Sequence, residues 1–116
     1  IKERHRAAAD EYTSQFAVEA SRKAIENARL DPSDIDLIIC ATVSPDQILP
    51  STGCLIQAEL GANNAAAFDL AAACSGFLYG LTMANQMVRS WPRTAPVAAV
   101  CGSSIAPGRQ LSTLHA

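Results

Sequence analysis

Residues 65–79, A-A-A-F-D-L-A-A-A-C-S-G-F-L-Y, constrain the fold more than any other stretch of the chain. The apolar run 65–70 suits a buried strand, and the small residues after it allow a tight turn. From Cys74 onward, Phe77, Leu78, Leu81, Met83, Ala84, Met87 and Val88 recur as a broad apolar helical surface. The expectation is therefore a buried strand, a turn, and a helix of residues 74–90 whose first turn carries a thiol. The unpaired N–H groups and positive dipole end of a helix stabilise an anion, so a thiol placed there gains thiolate character. Small neighbours on both sides let an acyl group and a backbone oxyanion site approach the sulfur, as at the strand-to-helix elbow of a nucleophile. The plain alternative is a cysteine that packs as a small hydrophobe.

The rest of the chain follows a βα rhythm. Over residues 12–30, Phe16, Ala17, Ala20, Ala24, Ile25 and Ala28 recur at helical spacing opposite Glu19, Arg22, Lys23, Glu26 and Asn27, with Thr13 or Ser14 as the N-cap. The cluster D-P-S-D at 31–34 ends that helix. Residues 35–42 (I-D-L-I-I-C-A-T) read as a strand apolar on both faces, which suits the middle of a parallel sheet. A loop with two prolines occupies 43–50, then Ser51 caps a short helix that Gly61 stops. A third strand is expected at 96–101, after the break W-P-R. The order α-β-α-β-α-β argues for an α/β layered structure with a mostly parallel sheet and right-handed crossovers. Three strands leave both sheet edges open, which points to a piece of a larger unit.

Composition removes several function classes. A net charge of −2 gives no basic footprint for nucleic acid. No apolar run reaches the roughly 20 residues that span a bilayer, so no membrane association is expected. The charged start lacks an apolar signal region, and the missing initiator Met reads as a start within a gene or after processing. Cys40, Cys54, Cys74 and Cys101 lie far apart with no C-x-x-C pair, which reads as reduced cytoplasmic thiols and no metal site.

The segment A-A-A-C-S-G-F-L-Y-G-L resembles the nucleophile segment of the β-ketoacyl-acyl carrier protein synthase III family, in the thiolase superfamily. The segments I-K-E-R-H, D-I-D-L-I-I-C-A-T, I-L-P-S-T-G-C-L-I-Q-A-E-L-G-A and A-A-A-F-D-L are similar to that family's in order and spacing. The resemblance implies a partial thiolase-like layered fold with a buried nucleophile helix. It divides the chain into 1–103, part of the N-terminal half, and 104–116, a divergent irregular tail. It implies that Cys74 accepts an acyl group from acyl-CoA and that the acyl group is then condensed with malonyl-ACP in fatty-acid or related polyketide synthesis. Acyl-CoA and malonyl-ACP are substrates, no cofactor is implied, and the family's form is a homodimer. Leu49 matches the position from which the family sends a side chain across the dimer into the partner's acyl pocket.

The family's His, in an H-Q-A-N motif, and its Asn have no counterpart here, so the chain alone is expected to be inactive in condensation. His5 and His115 read as surface residues, and Arg109, in the divergent tail, is not equated with the family's coenzyme-A-contacting arginine. Cys40, Cys54 and Cys101 are assigned to packing, and Asp69 to fixing a turn rather than acting as a base. The rival readings are another thiolase-fold acyl-CoA condensing enzyme, a non-catalytic truncated protomer or dimerisation partner, and a thiol redox protein. The absence of a resolving cysteine near Cys74 speaks against the last.

Overall fold

The computed structural model describes residues 7–91 with their side chains and the backbone of residues 98–103. His5, Arg109, His115 and the segment 104–116 lie outside the described residues, as does the side chain of Cys101. Helix α1 spans Thr13–Ala28, strand β1 Leu37–Thr42, helix α2 Thr52–Leu60, strand β2 Ala66–Leu70, helix α3 Gly76–Ser90 and strand β3 Ala98–Ser103. Two single 3-10 turns, Pro32–Asp34 and Ala73–Ser75, join them.

Helix ends follow local chemistry in some places and tertiary contacts in others. Ser51 caps α2, its side chain accepting the Cys54 N–H, and Gly61 closes the helix at φ 74°. Both assignments match the sequence reading. Helix α1 differs: its N-cap is Tyr12 rather than Thr13 or Ser14. The Thr13 hydroxyl instead donates to the Ser44 carbonyl at 2.8 Å, and the Ser14 N–H donates to the Asp46 carboxylate at 3.1 Å. A carboxylate from a distant loop thus satisfies an orphan donor that a local hydroxyl was expected to serve. At the other end Arg29 adopts φ 56°, and Leu30 N–H returns to the Ile25 carbonyl, so the helix stops before the D-P-S-D cluster.

The strands form one parallel sheet in the order β2-β1-β3, with Ile39 opposite Phe68 on one side and Val100 on the other. Every residue of β1 is buried, as its two apolar faces require. Ile38 and Cys40 pack with Ala17, Val18, Ile25, Ile56 and Leu60 of α1 and α2. Leu37 and Ile39 pack with Ala84 on the opposite face, joined by Phe68, Leu70 and Met87. The sheet is therefore the middle of three layers. The chain steps from β1 to β2 in one direction and from β2 back past β1 to β3 in the other. Right-handed crossovers then put α2 and α3 on opposite faces.

Two expectations of burial are corrected. β2 is an edge strand among the described residues, and its side chains are half-buried to exposed rather than buried. Helix α3 buries a single stripe of small residues, Gly76, Gly80 and Ala84, while Leu78, Tyr79, Leu81 and Met83 are exposed. The apolar surface of this helix is broader than one sheet face can cover, and among the described residues nothing packs on its far side.

Candidate active site

The carboxyl ends of β1 and β2 lie side by side, and their outgoing connections leave over opposite faces of the sheet. In open parallel sheets that divergence opens a crevice in which ligands bind. The loop after β1 holds Leu49, and the turn after β2 holds Cys74.

The turn is built by backbone strain. Ala73 adopts φ 44°, a left-handed conformation that a non-glycine residue holds at a cost of about 1–3 kcal/mol. It closes as a 3-10 turn in which Ser75 N–H donates to the Ala72 carbonyl and Gly76 N–H to the Ala73 carbonyl. The Cys74 N–H takes no part in either bond. Cys74 therefore stands in the turn before α3, not in the helix's first turn as its sequence suggested, and it is exposed. The reversal of direction needs the left-handed step at Ala73, which postpones regular helix to Gly76.

Glycines set how close the parts lie. A Cβ on Gly76 would stand 3.2 Å from the Cβ of Ala41, so the start of α3 rests directly on the end of β1. A Cβ on Gly53 would stand 2.9 Å from the Phe68 carbonyl oxygen, so the first turn of α2 rests on the backbone of β2.

Asp69, on β2, fixes a helix end rather than a turn. Its carboxylate accepts the Thr52 N–H at 2.9 Å and the Gly53 N–H at 2.6 Å. The charge sits at the positive end of α2, where anions are stabilised. No local pattern foretells this contact; a lone acidic residue inside an apolar strand was its only signal.

Leu49 is 82% exposed and Ile48 88% exposed, at the tip of the loop after β1. The Leu49–Pro50 peptide bond is cis. The base of the loop is tied by the Asp46 N–H, which donates to the Thr52 hydroxyl at 3.2 Å. Of the cysteines assigned to packing, Cys40 is fully buried. Cys54 is half-buried, with its sulfur 3.2 Å from the Ser51 hydroxyl. Among the described residues no helix is long and apolar enough to cross a membrane.

Comparison with known proteins places this architecture. The model of the 3-oxoacyl-[acyl-carrier-protein (ACP)] synthase III family matches residues 68–107, which include the Cys74 turn and α3. The β-ketoacyl-[acyl-carrier-protein] synthase III of Caldanaerobacter subterraneus subsp. tengcongensis is 56% identical over 90 residues, 78% of this chain and 27% of that protein. The crystal structure of 3-oxoacyl-[acyl-carrier-protein] synthase III from Aquifex aeolicus superposes with a TM-score of 0.82 at 42% identity, covering 90% of this chain and 33% of that one. The priming β-ketosynthase of the R1128 polyketide pathway superposes with a TM-score of 0.80 at 38% identity, covering 87% of this chain and 30% of that one. The chain thus spans about 27% of the length of the curated relatives it matches.

Proposed function

Because the chain belongs to the β-ketoacyl-[acyl-carrier-protein] synthase III family, with a thiolase-like layered fold, we propose that Cys74 is the acyl-accepting nucleophile of a condensing acyltransferase. The observation that carries this reading is the exposed thiol on a strained turn at the carboxyl end of a parallel sheet. The Cys74 thiolate attacks the carbonyl carbon of an acyl-CoA. The tetrahedral oxyanion then collapses and expels the coenzyme A thiolate, leaving an acyl thioester on Cys74. The Cys74 N–H, outside the bonds that close the turn, is suited to donate to that oxyanion. Malonyl-ACP next loses carbon dioxide, and its carbanion attacks the thioester carbon. Cys74 leaves as thiolate and the product is a β-ketoacyl-ACP, in fatty-acid or polyketide synthesis. No metal or cofactor enters either step.

The second step needs donors to the enolate oxygen, the role the family gives to a His and an Asn. Leu49 is the pocket residue offered to a second copy of the chain, a role its exposure at the loop tip supports. The functional form is a cytoplasmic homodimer. Residues 1–103 form part of the thiolase-like half and 104–116 a divergent tail. The exposed apolar side chains of α3 also favour a second reading, a protomer segment whose surface serves association rather than chemistry.

Incubation with acetyl-CoA followed by peptide mass mapping separates the two. An acetyl adduct on Cys74, absent in Cys74→Ser, is expected; no adduct, or one equally on Cys54 or Cys101, overturns the nucleophile assignment.

A further inference from the structure

The carboxylate of Asp69 lies on the strand that delivers Cys74, yet both of its oxygens are engaged by α2, at 2.9 Å and 2.6 Å from Thr52 N and Gly53 N. Such charge-assisted bonds are roughly twice as strong as neutral ones. Thr52 is fully buried, and its hydroxyl accepts the Asp46 N–H, which closes the loop whose tip presents Ile48 and Leu49. The Asp46 carboxylate in turn accepts the Ser14 N–H of α1. On the other side, Asp69 is in register with Cys40 of β1, one residue before Ala41, on which Gly76 and the start of α3 rest. Hydrogen bonds therefore join the Leu49 loop to the Asp69 carboxylate, and strand pairing sets Asp69 beside the β1 segment on which the start of α3, directly after the Cys74 turn, is packed.

We propose that Asp69 is a positioning residue that couples the Cys74 turn to the loop carrying Leu49, so that one carboxylate sets the placement of nucleophile and acyl-pocket loop together. The inference rests on the roles given to Cys74 and Leu49 above. In a twofold dimer, the placement of the loop tip relative to its own β2 also fixes its placement relative to the partner's nucleophile. With both oxygens accepting amides, Asp69 is held in a fixed orientation and serves geometry rather than proton transfer.

The test compares Asp69→Ala and Asp69→Asn with the unaltered chain. Amide exchange of Thr52 and Gly53 reads the loop side, with the β1 amides as a reference for overall folding. Alkylation of Cys74 by iodoacetamide reads the turn side, taken on its high-pH plateau so that ionisation of the thiol does not enter. In Asp69→Ala, exchange at Thr52 and Gly53 is expected to rise about tenfold or more, the loss of one charged hydrogen bond. Protection in β1 holds within about twofold, the plateau rate at Cys74 shifts by about threefold or more, and Asp69→Asn, which keeps one acceptor oxygen, falls between. Unmoved Thr52 and Gly53 amides overturn the proposal, and so does an unchanged Cys74 rate when those amides are released. Should Asp69→Ala lose β1 protection as a whole, Asp69→Asn decides by the same criteria. If unaltered Cys74 takes no acetyl group from acetyl-CoA while its alkylation still responds to Asp69, the acyl-acceptor reading fails and the coupling stands.

Discussion

Gly53→Ala is the perturbation that most directly tests how α2 is seated. The added Cβ would stand 2.9 Å from the Phe68 carbonyl oxygen and 3.1 Å from both its carbonyl carbon and its amide nitrogen. All three are backbone atoms of β2, so no side chain can swing away, and α2 has to lift from the sheet. Overpacking of this kind costs about 1–3 kcal/mol. Lifting also stretches the two hydrogen bonds that the Thr52 and Gly53 N–H groups donate to Asp69, each worth about 1.5–3 kcal/mol when fully lost. Against this stands the better helix propensity of alanine, at most about 1 kcal/mol and less in a first turn. The net expectation is a loss of about 1–3 kcal/mol, which for a domain of this size lowers Tm by about 4 °C per kcal/mol. Thermal unfolding by circular dichroism measures it, with Gly61→Ala as comparison. Gly61 has open space around it, and its φ of 74° makes alanine cost about 1 kcal/mol through backbone strain alone. A Gly53→Ala protein as stable as the parent would refute close seating of α2 on β2.

Arg29 holds a left-handed φ of 56° at the end of α1, so Arg29→Gly should gain up to about 1 kcal/mol, read as a higher denaturant midpoint; a loss would contradict the cap geometry. Asp31 accepts the Ser33 N–H and then the Ser33 hydroxyl, which together hold its carboxyl below the ordinary 3.8. Because the folded value is depressed, the contribution of this carboxylate is present above 3.8 and is lost as pH falls through the lower folded value. A carboxyl titration by NMR with a midpoint at or above 3.8 would contradict that arrangement. Under the proposed function, Leu49→Phe in an intact dimeric synthase fills the acyl pocket and shifts turnover from branched primers toward acetyl. An unchanged primer preference removes Leu49 from the pocket.

Much of this architecture is legible in local patterns, and the family in its motifs. The two-faced apolar run at 35–42 required a central parallel strand, and β1 is central and wholly buried. Ser51 and Gly61 marked the ends of α2 because capping is decided within a few residues. The strand-turn-helix order around Cys74 was visible in the change from an apolar run to small residues and then to helical periodicity. The left-handed step at Ala73 was not, because alanine carries no mark of a positive φ.

What only the tertiary structure decided are the contacts between segments far apart in the chain. Asp46 accepts the Ser14 N–H at the start of α1 and Asp69 caps α2 from β2, because helix-end amides removed from water take the acceptors that the packed layers bring to them. Gly53 and Gly76 gain their purpose only when a strand lies within 3.2 Å of where a side chain would begin. Hydrophobic period and turn residues act over a few positions and so determined the elements by themselves. The placement of the Leu49 loop, Asp69 and the Cys74 turn at one end of the sheet depends on strand order and register, which no short stretch of sequence encodes.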